Sequence, residues 1–281
     1  MMINEQDYAF GLDTERYSSS PELGKWMDWK AVAMHTNPTV TFVVTRAGIS
    51  WGYQDPLFSF NWKGIRDIDV WRLAAGVDLP PVGRGAYHVI YPGENPITQV
   101  DNFFRIVGDA DWEHDRLVID LELHHNQTRR TITNCTKTFA YKCYERTGRY
   151  PLLYARSLWL NQYTYPEELT FMDLWLAQYR RAIVGYTPEY EPPPHPLPNG
   201  FSTWLVHQTA DRGKPIGSPV KKVMDYNRWN GGIEKVIKYF GWESYETPEP
   251  EPTTPEQPEL SLEARLKALE ARVTTIEEQL N

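Results

Sequence analysis

Residues 116–125 read RLVIDLELHH, a short run that is apolar on both faces and long enough for one strand. On a strand, Val118, Asp120 and Glu122 share one face and Ile119, Leu121 and Leu123 the other. A strand covered on both sides belongs to a parallel sheet inside an α/β protein. Asp120 and Glu122 then stand side by side, roughly 6–7 Å apart along the chain. Mutual repulsion and desolvation push at least one of their pKa values upward, which acid/base chemistry at neutral pH requires. A second reading stays open, in which both carboxylates reach water at a strand end or pair with Arg.

Comparable runs recur at 7–13, 39–47, 85–92, 150–157, 171–179, 203–209 and 221–227. Helical patterns fall at 21–34, 95–108, 129–147 and 230–240, the third opened by Thr131 and Thr133 and closed by Gly148. Eight strands with helices concentrated in the first half predict an α/β barrel that becomes strand-rich toward its end. The Pro-rich segment 185–200, GYTPEYEPPPHPLPNG, predicts an extended rim loop between two barrel strands.

Charge separates the chain into a body and a tail. Of 37 acidic and 29 basic residues, 10 and 3 lie in 243–281, leaving 27 and 26 in the body. A near-neutral body disfavours a nucleic-acid partner. Cys135 and Cys143 sit eight residues apart in one predicted helix, roughly 12 Å and too far for a disulfide. The N-terminus MMINEQDYAFGLD has neither a basic nor an apolar signal region, and no 18-residue apolar span follows. The expectation is synthesis in the (host) cytoplasm without a signal peptide and no membrane insertion.

The body is expected to span 1–242. Residues 243–259, ESYETPEPEPTTPEQPE, read as a disordered acidic linker. Beyond it Leu262, Leu266, Leu269, Val273, Ile276 and Leu280 are spaced 4, 3, 4, 3, 4, a heptad seam over 260–281. Arg265 and Arg272 at g face Glu270 and Glu277 at e, which suits parallel chains. The expectation is a homo-oligomer through 262–280, a parallel trimer ahead of a dimer. The other reading is an amphipathic helix docked on its own barrel.

Several predicted strands finish with a polar residue: Asp13, His88, Asp120 with Glu122, Tyr154, Gln178, His207 with Gln208, and Asp225. The carboxyl ends of barrel strands build active sites, and carboxylates converging there with His and aromatics form the pattern of a glycosidase cleft. The order of GLD (11–13), DW (28–29), RA (46–47), D-x-x-F (55–58), GAYH (85–88), D-x-E (120–122), YARSLW (154–159), LW-x-A-x-Y (174–179), W-x-x-x-Q (204–208) and MDYN (224–227) resembles glycoside hydrolase family 25, the Chalaropsis-type lysozymes. The resemblance spans roughly residues 7–241. It implies a flattened, TIM-like (β/α)5β3 barrel and hydrolysis of the β-1,4 bond between N-acetylmuramic acid and N-acetylglucosamine in bacterial peptidoglycan. It also implies Glu122 as general acid and base, and Asp120 as the group orienting the substrate's acetamido nucleophile. Asp13 and Asp225 would hold the cleft floor. His88, Tyr154, Trp175, Gln178 and His207 are candidate sugar contacts, with packing inside the barrel as the alternative for the His and aromatic members.

Departures from the family pattern are Thr14-Glu15 after Asp13, His207 where Trp is common, and Arg46 in place of Lys. No cofactor is expected. No metal is expected either, because His124 and His125 point to opposite faces and no Cys/His spacing suits zinc. The leading expectation is a phage endolysin that reaches the cell wall after release. Two others stand beside it: a non-catalytic carbohydrate-binding or virion structural protein, and a glycosidase on another N-acetylated polysaccharide.

Overall fold

Eight strands close on one another because the first pairs with both the second and the last. The computed structural model describes residues 8–179 and 193–242. The strands are β1 (Tyr8–Thr14), β2 (Val40–Ile49), β3 (Tyr53–Gln54), β4 (Gly83–Val89), β5 (Asp115–Asp120), β6 (Leu152–Ala155), β7 (Leu174–Ala177), β8 (Val206–Gly213) and β9 (Met224–Asn230). Their order is β1-β9-β8-β7-β6-β5-β4-β2-β3, and a β1–β2 pairing closes the ring while β3 forms a small hairpin on β2. Strand β9 runs antiparallel to both β1 and β8; the other ring neighbours pair in parallel.

The helices are α1 (Trp29–Ala33), α2 (Phe58–Ala74), α3 (Pro96–Val107), α4 (Arg129–Thr147), α5 (Ser157–Tyr163) and α6 (Ile233–Tyr239). Five strand-to-helix steps are therefore followed by three strands without intervening α-helices among the described residues. The expected α/β barrel is present. The linker 243–259, the helix 260–281 and residues 185–192 of the Pro-rich segment lie outside the described residues.

Local chemistry explains the helix boundaries. Thr128 caps α4 by accepting from the Thr131 amide, and Gly148 ends it at φ 72°, a left-handed conformation that costs glycine little. Asn95 caps α3 from its side chain, with Pro96 in the first turn. The continuous helix expected over 21–34 does not form. A 3-10 turn over Pro21–Leu23 stops at Gly24 (φ 64°), and α1 starts afresh where Asp28 Oδ1 accepts from Ala31. Helix α2 is an addition to the sequence reading. Parallel neighbours β2 and β4 require a crossover, and Phe58, Trp62, Ile65 and Ile68 give it a buried stripe.

Alternation along each strand sorts side chains into two compartments. On β5, Leu117 and Ile119 face the layer of α3 and α4, among Phe103 and Phe139. Val118 instead joins Phe42, Val44, Leu152, Trp175, Val206 and Trp229 inside the barrel. Gly11 on β1 permits this filling: a Cβ there would sit 2.5 Å from the Phe42 ring. The apolar plug forms a floor, and the polar residues collect above it.

Candidate active site

A cleft of about 270 Å3 is lined by Asp13, Asp120, Glu122, Asp211 and Asp225, with Tyr87, Tyr154, Trp175 and Tyr179 among its walls. Asp13 comes from the carboxyl end of β1 and Asp120 ends β5. Because β9 runs backwards, its beginning lies at this same end of the barrel and brings Asp225 to the cleft. Glu122 lies two residues past the end of β5, not within the strand as its sequence suggests. The Leu121 amide still bonds Tyr154 O at 2.9 Å, which carries the ladder one residue beyond β5 and positions Glu122 over the opening.

Asp13 is the most constrained of the acids. Its Oδ2 accepts from Gln208 Nε2 at 2.8 Å and from Asn227 Nδ2 at 2.7 Å. Each amide is fixed from its other side: Tyr154 and Tyr179 donate to Gln208 Oε1, and Trp175 Nε1 donates to Asn227 Oδ1 at 3.0 Å. Strands β1, β6, β7, β8 and β9 are thereby tied together through one carboxyl group. Asp120 differs: its Oδ1 is buried with no hydrogen-bond partner among the described residues. An unpaired buried oxygen is costly unless a ligand supplies the missing group.

The electrostatics follow from crowding acids in a poorly solvated site. Burial is the main cause that raises Asp120 well above the usual carboxylate range, and the charges of Glu122 and Asp13 add to it. Burial likewise raises Asp13, against the two amide hydrogen bonds. Glu122 is raised by burial and by Asp13, while Arg156, at 3.4 Å, pulls it down. Asp225 is pushed up to about 8, mainly by burial and then by Asp13, with Lys221 opposing. Neighbouring acids raised together in this way titrate as a set rather than one by one.

A stability prediction follows for Asp225. Its pKa in the fold lies above the ordinary value of 3.8, so its contribution is fully present below about pH 4 and is lost as pH rises through about 8. Asp225→Asn is expected to flatten that fall and to raise Tm at pH 8–9, at roughly 2–4 °C per kcal/mol recovered. Thermal unfolding from pH 4 to 9 tests this, and a Tm–pH curve superposing on the wild type would refute it.

The cleft therefore gathers Asp13, Asp120, Glu122, Asp225, Tyr154 and Trp175 from the sequence reading. Three expected sugar contacts stand elsewhere. His88 points out of the barrel, where it packs against Phe103 and Phe139 and donates to Ser50 O at 2.8 Å. Burial lowers its pKa to about 4, which keeps it neutral. His207 is also buried and turned outward, with Nε2 bonded to Gln178 O and Nδ1 facing Arg228. Gln178 holds the backbone of His195 through both its amide atoms, pinning the returning end of the Pro-rich segment.

In two cases the residue that lines the cleft is the immediate neighbour, Tyr87 beside His88 and Gln208 beside His207. Strand parity was the available signal. Asn227, Tyr179, Arg156 and Asp211 complete the additions. Away from the cleft, Asp111, Glu113 and His114 place ligand atoms within 4.8 Å of one another, but the His114 ring already bonds Phe240 O and stacks on Trp242.

A barrel that delivers carboxylates and aromatic walls to the carboxyl ends of its strands has the form of a glycoside hydrolase. The family model for glycosyl hydrolases family 25 matches residues 22–217, so the chain belongs to that family of lysozyme-type glycoside hydrolases. The match contains Asp120 and Glu122, and the barrel adds Asp13 and Asp225 from either side. No curated protein sequence matches significantly.

Among solved structures, the bacterial lysozyme from Streptomyces coelicolor is similar at 20% identity and a TM-score of 0.64, covering 83% of this chain and 97% of that one. A family 25 lysozyme from Aspergillus fumigatus shares 19% identity at a TM-score of 0.61, covering 82% and 98%. The catalytic domain of an endolysin from a Listeria monocytogenes bacteriophage shares 17% at a TM-score of 0.56, covering 86% and 98%. At these identities the likeness carries the fold.

Proposed function

We propose that this family 25 hydrolase is a muramidase that cleaves the β-1,4 bond between N-acetylmuramic acid and N-acetylglucosamine in bacterial peptidoglycan. The observation that carries the reading is the convergence of Asp13, Asp120, Glu122 and Asp225 from β1, β5 and β9 onto one cleft. Glu122 donates its proton to the glycosidic oxygen as the bond breaks. The carbonyl oxygen of the 2-acetamido group attacks C1, forming a cyclic oxazolinium intermediate. Asp120, which lines the cleft, accepts the acetamido N–H and so aligns that attack. Glu122, now a carboxylate, takes a proton from water as the water adds to C1 and the ring C1–O bond to the acetamido oxygen breaks, which restores the acetamido group and retains configuration. Asp13 and Asp225 hold the floor, Asp13 through its two amide partners.

The test is digestion of purified peptidoglycan followed by borohydride reduction and identification of the reduced sugar. Reduced muramic acid is the expected product. Reduced glucosamine would overturn the bond assignment, and undiminished strands across several wall types would favour a carbohydrate-binding role.

The reading extends to a phage endolysin, made in the host cytoplasm and acting on the wall once released. Similarity to an endolysin catalytic domain supports it, and no described helix is long and apolar enough to cross a membrane. The heptad seam over 262–280 supports a parallel trimer, which would place three clefts on one stalk and raise avidity for a polymeric wall. Light scattering at micromolar concentration is expected to give three times the monomer mass of 32.7 kDa, and about one third of that after removal of 260–281. A monomeric full-length chain would refute the trimer.

A further inference from the structure

Arg156 is the cation lining the cleft among the described residues, opposite five carboxylates. It stands between β6 and α5, and its side chain is 60% exposed. Its Nε lies 3.4 Å from Glu122 Oε1, beyond good hydrogen-bond range, and its guanidinium sits 5.8 Å from the centre of the Tyr179 ring. The other cations near the acids are committed elsewhere: Arg46 to Asp55 and Glu15, and Lys221 to Glu15.

This placement conflicts with what Glu122 has to do. A general acid must keep its proton at the working pH, and a guanidinium beside it favours the ionised form. A cation that stayed on Glu122 through the reaction would oppose proton donation. An exposed guanidinium held by one long ion pair and a distant ring is instead able to exchange partners at little cost. Arg suits that exchange because its planar fork binds a carboxylate with two parallel hydrogen bonds.

We propose that Arg156 recognises a carboxylate carried by the substrate, and that engaging this carboxylate draws the guanidinium off Glu122 and leaves Glu122 ready to donate its proton. The inference rests on the muramidase reading. In peptidoglycan the muramic sugar carries a lactyl ether that ends either in a free carboxylate or in a stem peptide with carboxylates of its own. The substrate thereby arms the acid, and a neutral glycan does so less well. Arg156 is a specificity-determining and positioning residue in this scheme. The charged and titratable groups that share the cleft with Glu122 are Arg156, Asp120 at the end of β5, Asp13 on β1, Tyr87 on β4 and Tyr154 on β6. Tyr179 after β7, Asp211 on β8 and Asp225 on β9 complete the set. Of all these, Arg156 is the one that substrate binding relocates.

The experiment compares kcat/KM on amidase-stripped glycan strands, where the lactyl carboxylate is free, and on stem-bearing strands, where only peptide carboxylates are. Each is assayed before and after carbodiimide-mediated amidation. Wild type is expected to lose about tenfold on amidation of whichever strand carries the recognised carboxylate, which identifies its source. Arg156→Gln is expected to abolish that difference, and Arg156→Lys to restore part of it. Removing the cation also raises Glu122, so the descending basic limb of the Arg156→Gln pH profile moves to higher pH. A residue that only supported the fold would lower rates on all strands alike and leave that limb in place. Indifference of the wild type to amidation of both strands, or discrimination retained in Arg156→Gln, overturns the inference while the muramidase reading stands. Failure of the wild type to cleave any strand overturns both.

Discussion

Glu122→Gln is expected to lower kcat on purified peptidoglycan by about 10²–10⁴-fold, the usual contribution of a positioned general acid. The amide keeps the shape of the side chain but has no proton to give and cannot later accept one from water. Both halves of the reaction therefore fail together. KM is expected to change only a few-fold, because the sugar contacts remain and the loss falls on the transition state. Released reducing ends, assayed over a range of substrate concentrations, separate the two parameters. Equal activity in wild type and variant would move the chemistry away from Glu122. The placement of Glu122 makes the test discriminating: it extends past the β5 ladder, half-exposed at the cleft, and among the described residues its side chain ties the fold together through no hydrogen bond. Asp13 would be a poorer probe, since its loss also frees Gln208 and Asn227.

Trp229→Ala is expected to cost about 3–5 kcal/mol of folding stability, the range for emptying a buried aromatic site. Trp229 is 2% exposed and belongs to the apolar floor of the barrel, at the end away from the cleft. Its ring packs edge-on against Phe42 at 5.2 Å and against Tyr239 at 4.9 Å. It also sits in register with Ala9 and Val206, on the antiparallel strand that closes the ring. A cavity there cannot collapse without breaking the closure. At roughly 2–4 °C per kcal/mol the drop in Tm is large and readily measured. Trp229→Phe should lose much less, because the indole Nε1 has no hydrogen-bond partner among the described residues and only volume is given up. A Tm for Trp229→Ala within a degree of the wild type would show that the floor is not what holds the barrel.

Particular elements show how far the sequence could be read. Helix α4 appears at 129–147 as its composition indicates, because a capping threonine and a terminal glycine act locally. Helix α2 is hidden in the sequence, since its buried stripe includes Asn61, Gly64 and Arg72 and Leu57 offers no side-chain cap. Only the neighbours those side chains meet make them core residues: Arg72 donates to the carbonyls of Ala33 and Val40. Polar residues at strand ends point to function, which makes His88 and His207 candidate sugar contacts from the sequence. Strand parity sets which of two neighbouring residues faces the cleft, and in both strands it turns the His outward and its neighbour inward.

The sequence by itself determined that this is an α/β barrel and that Asp120 and Glu122 stand two residues apart where a buried strand ends, since both depend on the period of hydrophobicity over a few residues. It also carried the family's motifs in order. Only the tertiary structure decided that Asp13 is clamped by Gln208 and Asn227, which come from 195 and 214 residues away. The same holds for the pairing of Arg156 with Glu122 and for the unpaired oxygen of Asp120. Hydrogen bonds and charge interactions depend on distance through space, and closure of the ring between β1 and β9 sets those distances at a separation that local patterning cannot encode.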